Sequence, residues 1–156
     1  MSKRGAARAV ADVTGGRLVA TVEIDASAER VFTALTTSEV AQWWGSPETY
    51  RIDRWSMDLH AGGTWRSEGT SADGRRFSVG GTVLEVSPPG LLVHSWTYDW
   101  DGGGTTTVRY EIEPLGTSGS RVTVTHWGFG ANAAGCEDHA RGWERVLGWL
   151  TAHVER

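Results

Sequence analysis

Five histidines, one cysteine and a few closely spaced carboxylates are the residues from which this 156-residue chain could build a reaction centre. His94 and His126 hold the most interest. Alternation along one strand groups Leu92, His94, Trp96 and Tyr98, and along the last strand it groups Val122, Val124 and His126. If both sets face inward, two imidazoles look into one cavity. There each either contacts a ligand, moves a proton, or is hydrogen-bonded in a polar part of the core. His139 and His153 share a face of the terminal helix but stand about 21 Å apart along it, too far to share a metal ion. His60 precedes Gly62-Gly63 in an expected turn. Glu111 and Glu113 lie with Arg109 on one strand face, opposite Val108, Tyr110 and Ile112, so these carboxylates point to water. Asp99 and Asp101 flank Trp100 at a turn. Cys136 is followed by Glu137 and Asp138, which raise a thiol pKa and argue against a nucleophile. The chain has no Gly-x-Ser-x-Gly elbow, phosphate loop, dinucleotide glycine signature or His-Glu-x-x-His motif. No catalytic residue is assigned beyond the candidates His94 and His126, and neither metal nor cofactor is implied.

The aromatic residues form the stronger pattern. Nine tryptophans exceed what a core of this size needs. Trp44, Trp55, Trp65, Trp96, Tyr98, Tyr110 and Trp143 all fall on elements with a buried face. Indole N–H and phenol O–H groups need partners when buried, so a purely packed core is built more economically from Leu, Ile and Val. Amphipathic rings with a few polar groups are the lining of a small-molecule pocket. The expected ligand-contacting set is Trp44, Trp55, Trp65, His94, Trp96, Tyr98, Tyr110, His126, Trp143 and Leu147. A solid tryptophan-rich core is the alternative. Trp127 and Trp149 are candidates for a contact surface instead.

These side chains must be positioned by a recognisable order of elements. Residues 1–16, with Lys3, Arg4 and Arg8 against Asp12, read as a disordered basic tail, leaving a single domain over 17–156. Arg17–Ile24 alternates as a strand. Ser27 stands at a helix N-cap, followed by Val31, Phe32 and Leu35 on one stripe. A second short helix from Ser38 carries Val40 and Trp43-Trp44 and ends at Gly45 and Pro47. Strands are expected at Tyr50–Met57, Thr64–Glu68, Phe77–Val86, Leu91–Tyr98, Thr105–Ile112 and Arg121–Trp127, with turns at Asp73-Gly74, Pro88-Pro89-Gly90 and Asp101 to Gly104. From Glu137 on, Ala140, Trp143, Val146, Leu147, Leu150 and Val154 recur at steps of three and four, an amphipathic helix of about five turns. Gly142 and Gly148 weaken it, which points to a close approach to the sheet or a ligand. The fold class is α+β: a curved antiparallel sheet of about seven strands wrapped on a long C-terminal helix.

Composition bounds the function. Hydrophobic residues make up 39% and charged residues 22%, and the net charge of −4 argues against a general nucleic-acid partner. One cysteine excludes an internal disulfide. No run is long enough to span a membrane, and no secretory signal is apparent, so a cytoplasmic protein is expected, monomeric or homodimeric through edge strands.

Ordered motifs then carry a resemblance. Trp43-Trp44-Gly45 is followed by Met57-Asp58-Leu59-His60-Ala61-Gly62-Gly63-Thr64-Trp65, then by Gly81-Thr82-Val83-Leu84-Glu85-Val86 and Leu91 to Trp96. Thr125-His126-Trp127-Gly128-Phe129 and Gly142-Trp143 with Leu147 and Leu150 complete the series. Over about residues 17–155 the chain resembles the SRPBCC superfamily, START-like proteins, and within it homologues of the C-terminal domain of the heat-shock-protein-90 ATPase activator. The resemblance implies a helix-grip fold around a cavity. It implies a function among binding of a lipid, polyketide or similar hydrophobic or aromatic molecule, cyclase- or hydratase-like catalysis through His94 or His126, and a protein-interaction or stress-response role. Binding is the leading expectation, with no enzyme activity assigned.

Overall fold

The computed structural model describes residues 4–100 and 102–156. Lys3 of the expected tail and Asp101 of the expected turn lie outside them. The element order is β1 (Arg8–Asp12), β2 (Arg17–Ile24), α1 (Ala28–Thr36), α2 (Val40–Trp43), β3 (Tyr50–Met57), β4 (Thr64–Ser71), β5 (Arg76–Ser87), β6 (Leu91–Tyr98), β7 (Gly104–Leu115), β8 (Gly119–Trp127) and α3 (Ala133–Val154). The strands form one antiparallel sheet of eight in the order β1-β2-β8-β7-β6-β5-β4-β3. The helix-grip α+β architecture is therefore as expected, with one strand more than the sequence indicated. The extra strand is β1. It falls inside the expected disordered tail, pairs with β2 from Arg8↔Thr21 to Asp12↔Arg17, and packs Ala9 and Ala11 on the core, with Ala7 and Val13 doing the same on either side of it. Alanines carry little hydrophobic signal, which is why the alternation did not show.

Local chemistry sets the helix ends. Ser27 Oγ accepts the Arg30 amide at 3.1 Å and starts α1. Asn132 Oδ1 accepts from Gly135 N at 3.0 Å, so α3 begins four residues before the expected Glu137. The stripe of α3 formed by Cys136, Ala140, Trp143, Leu147, Leu150 and Val154 is buried. Its packing is uneven: α3 lies chiefly against β1 and β2, with α1 and α2 beside it. Three polar ties fix it there. Ala9 N donates to Glu144 Oε2 at 2.9 Å, and Asp25 N to Glu155 Oε2 at 2.8 Å. His153 Nε2 sits 2.6 Å from Glu39 Oε2, which Arg30 also pairs with at 2.6 Å, and the Arg30 contact holds the Glu39 carboxyl below its usual pKa.

Two register shifts re-aim side chains on the open half of the sheet. Strict alternation puts Ile52 and Trp55 on opposite faces. A bulge between Ile52 and Arg54 brings Ile52 opposite Gly69 and Trp55 opposite the buried Ser67, so both look inward. A second shift lies between Val83 and Glu85. Trp44 is held at the end of α2 because its carbonyl accepts from Ile52 N at 3.0 Å while Ser46 N donates to Tyr50 O at 2.8 Å. Gly45 between them has φ +129°, and a Cβ there would lie 2.1 Å from Tyr50 O. Gly142 and Gly148, by contrast, have nothing within 4 Å of an added Cβ. Neither position is therefore in close approach to the sheet; Gly142 lines a cavity instead. Among the described residues no helix is long and apolar enough to cross a membrane.

Two substitutions test this frame by thermal unfolding. Gly148→Ala should raise stability by about 1 kcal/mol, because it adds helix propensity in open space. Gly45→Ala should lower it by at least about 1–3 kcal/mol through backbone strain. A neutral Gly45→Ala would contradict the role given to the Trp44 loop.

Candidate functional site

Because α3 leans on the β1–β2 side, the other half of the concave sheet face is not filled by it. A cavity of about 660 Å3 lies there, between β3–β6 and the first half of α3. Trp44, Trp55, Trp65, Trp96 and Trp143 line it, five of the residues expected to contact a ligand. The rings form a connected set: Trp44 lies 6.3 Å from Trp55, 6.5 Å from Trp96 and 5.9 Å from Trp143, centroid to centroid. Trp65 joins Trp55 at 5.3 Å and Trp96 at 5.7 Å.

Their N–H groups divide into two sets. Trp44 Nε1 donates to Tyr50 Oη at 3.2 Å, Trp65 Nε1 to Ser95 O at 2.8 Å, and Trp143 Nε1 to His126 Nδ1 at 3.0 Å. Trp55 Nε1 and Trp96 Nε1 are buried with no acceptor among the described residues. A buried polar group left unpaired costs roughly 1–3 kcal/mol, which packing alone does not recover.

The other five expected residues are buried but do not line the cavity. Facing Val108 on β7 are His94 on one side and His126 on the other, so the two imidazoles share one inward row and stand two strands apart. His126 is fully buried. Its Nδ1 accepts from Trp143, so its proton is on Nε2, which donates to Thr106 Oγ1 at 2.6 Å; that hydroxyl donates in turn to Trp96 O at 3.3 Å. Every position on the ring is thereby occupied. Burial, with His139 and His94 nearby, lowers its pKa well below the ordinary value. His94 donates from Nδ1 to Ser95 O at 2.9 Å and lies 4.5 Å from the Trp65 ring; burial pushes its pKa down to about 4. Tyr110 packs on Trp143 at 5.7 Å, and burial raises its phenol pKa. Tyr98 packs on Trp100 and His139, and Leu147 is enclosed in the core.

Several wall residues were not singled out by the sequence. Tyr50, Phe77, Trp100 and His139 line the cavity, with the charged residues Arg75, Arg76, Asp99, Asp138 and Arg145 also on its wall. The spacing contained one usable signal. His139 stands four residues before Trp143, on the same helix face, where its Nδ1 donates to Gly135 O at 2.8 Å.

The remaining reactive residues are quiet. Cys136 is buried, its thiol donates to Arg17 O at 3.4 Å, and burial, then Asp12 and Glu137, raises its pKa. Glu111 pairs with Arg109 at 3.4 Å on the outer face. Among the described residues no cluster of three or more His, Cys, Asp or Glu could hold a metal ion. Trp127 is 37% exposed on β8, whereas Trp149 is half-buried against Tyr50 at 5.7 Å.

The two buried histidines generate a pH dependence. Both have folded-state pKa values below the unfolded 6.5, so the unfolded chain binds more protons as the pH falls. The stability they supply is complete above about pH 6.5 and drains as pH drops toward the folded values, by up to about 1.4 kcal/mol per pH unit for each. Urea unfolding from about pH 7 to about pH 5 should show this loss, and His94→Phe should remove about one proton from the slope. A flat profile would contradict neutral burial of these rings.

No curated protein matches the chain. Solved structures do. A protein of Rhodobacter sphaeroides superposes with a TM-score of 0.80 at 22% identity, covering 97% of this chain and 96% of that one. A Chromobacterium violaceum protein gives 0.79 at 23%, covering 90% and 98%. The AHSA1 protein of Silicibacter pomeroyi gives 0.74 at 27%, covering 88% and 96%. The family model described as activator of Hsp90 ATPase homolog 1-like protein matches residues 25–155, from the end of β2 through α3. The match takes in the Trp44 loop, the inward rows of β3–β8 and the helix that closes the cavity, and with it the chain belongs to the Hsp90 ATPase activator homolog 1-like family.

Proposed function

We propose that the protein binds a hydrophobic or aromatic small molecule in the cavity between β3–β6 and α3, as a carrier or sensor rather than a catalyst. The observation that carries this reading is a wall of six tryptophans around open space. The volume of about 660 Å3 falls within the roughly 300–1,000 Å3 of small-molecule sites. Burial of apolar area drives affinity, at about 25 cal/mol per Å2 before the costs of ordering are subtracted. Flat rings gain further from stacking on Trp44, Trp55 and Trp96.

Acid–base chemistry through His126 is the less favoured reading. Both of its nitrogens are engaged by Trp143 and Thr106, and a proton transfer would have to break the tie between α3 and the sheet. His94 is buried off the cavity wall.

Tryptophan fluorescence titration with a panel of fatty acids, steroids and aromatic polyketides tests the proposal. At least one class should quench saturably at one molecule per chain. Trp55→Ala should weaken that ligand about tenfold with unchanged far-ultraviolet circular dichroism. No saturable response from any class would overturn the reading.

A further inference from the structure

The polar groups around the cavity are strongly biased toward donors. Tyr50 Oη accepts from Trp44 Nε1, and its own O–H has no acceptor among the described residues. Burial raises the Tyr50 pKa, so the phenol keeps that proton. Trp55 Nε1–H and Trp96 Nε1–H also lack acceptors among the described residues, and both atoms are shut off from solvent. The carboxylates and guanidinia sharpen the bias. Asp99 already accepts from Ser78 N at 3.1 Å, and Asp138 pairs with Arg141. Arg76 is taken by Asp53 at 2.5 Å. Arg145 has no ion-pair partner among the described residues and lies near enough to influence the Tyr50 phenol. Arg75 has only a loose contact with Asp73 at 3.7 Å and is 87% exposed. Among the described residues, a chain of net charge −4 thus presents one unpaired guanidinium, one loosely paired guanidinium and a hydroxyl donor without an acceptor on the wall of an aromatic cavity.

We infer that the ligand of this cavity is an aromatic anion, such as a polycyclic carboxylate, with its rings among the tryptophans and its charge at Arg145, Arg75 and the Tyr50 hydroxyl. This rests on the cavity being the binding site, and adds the class of molecule it takes. A neutral hydrocarbon leaves the donors unanswered. A cationic amphiphile meets two guanidinia, while of the two cavity carboxylates Asp138 is paired with Arg141 and Asp99 is already hydrogen-bonded by Ser78. An anion gains charge-assisted hydrogen bonds to arginine and phenol.

Isothermal titration with anthracene-2-carboxylate, its carboxamide and anthracen-2-ylmethylammonium separates the possibilities, since the three share one ring system. The carboxylate should bind about tenfold more tightly than the amide, and the ammonium most weakly. Arg145→Gln, a surface change, should bring the carboxylate-to-amide ratio down toward one, and Arg75→Gln should lower it partly. Added salt should narrow it in the native protein. Equal binding of amide and carboxylate, a preference for the ammonium, or a ratio that survives both substitutions would overturn the charge assignment while leaving the cavity reading intact. Binding of none of the three would overturn the aromatic-anion assignment, and the cavity reading would then stand or fall on the fluorescence panel alone.

Discussion

The hydrogen bond from Trp143 Nε1 to His126 Nδ1 is the contact on which the rest of the interior depends. It joins the middle of α3 to the concave face of the sheet, and it fixes the His126 tautomer. That tautomer orients the Thr106 hydroxyl toward the Trp96 carbonyl. Four buried polar groups on three strands and a helix are thus satisfied in one chain. Buried networks of this kind are costly when half-made, so the set holds its members in a single arrangement. Trp143 and Trp96, the two ends of this chain, are also cavity walls, 5.8 Å apart. The polar core and the aromatic lining are one construction.

The cavity follows from where α3 is tied. Glu144 on the β1 amide, Glu155 on the Asp25 amide and His153 on Glu39 pull the helix toward one side of the sheet. The strands β3–β6 are left facing the helix across a gap instead of under it. Large flat side chains from both sides edge that gap without closing it. Gly142, on the helix side of the cavity with open space where a Cβ would project, adds to the opening.

Much of this was legible in the sequence. The inward row of Leu92, His94, Trp96 and Tyr98, the Ser27 cap and the stripe on α3 followed from periodicity alone, and the order of motifs identified the helix-grip fold. What stayed hidden has physical reasons. The strand Arg8–Asp12 turns alanines inward, which give hardly any amphipathic contrast. The bulge after Ile52 breaks the two-residue period, so only the register shows that Ile52 and Trp55 share a face. Periodicity placed His94 and His126 on the concave face but could not tell cavity wall from filled core. That distinction depends on how far α3 leans, which is set by ties between residues more than 100 positions apart in sequence, such as Glu39 to His153. The charged side of the cavity was missed because Arg75 and Arg145 sit on a hairpin and a helix surface that look solvated in isolation.

Family membership accounts for the architecture, and the proposed function rests on the tryptophan-lined space within it. The most direct test of the central claim is native mass spectrometry of the gently purified protein mixed with aromatic acids, followed by denaturing extraction. The account predicts a stoichiometric small-molecule adduct that dissociates on unfolding. An unmodified mass under every condition would mean that the tryptophans form a closed core, and would contradict it.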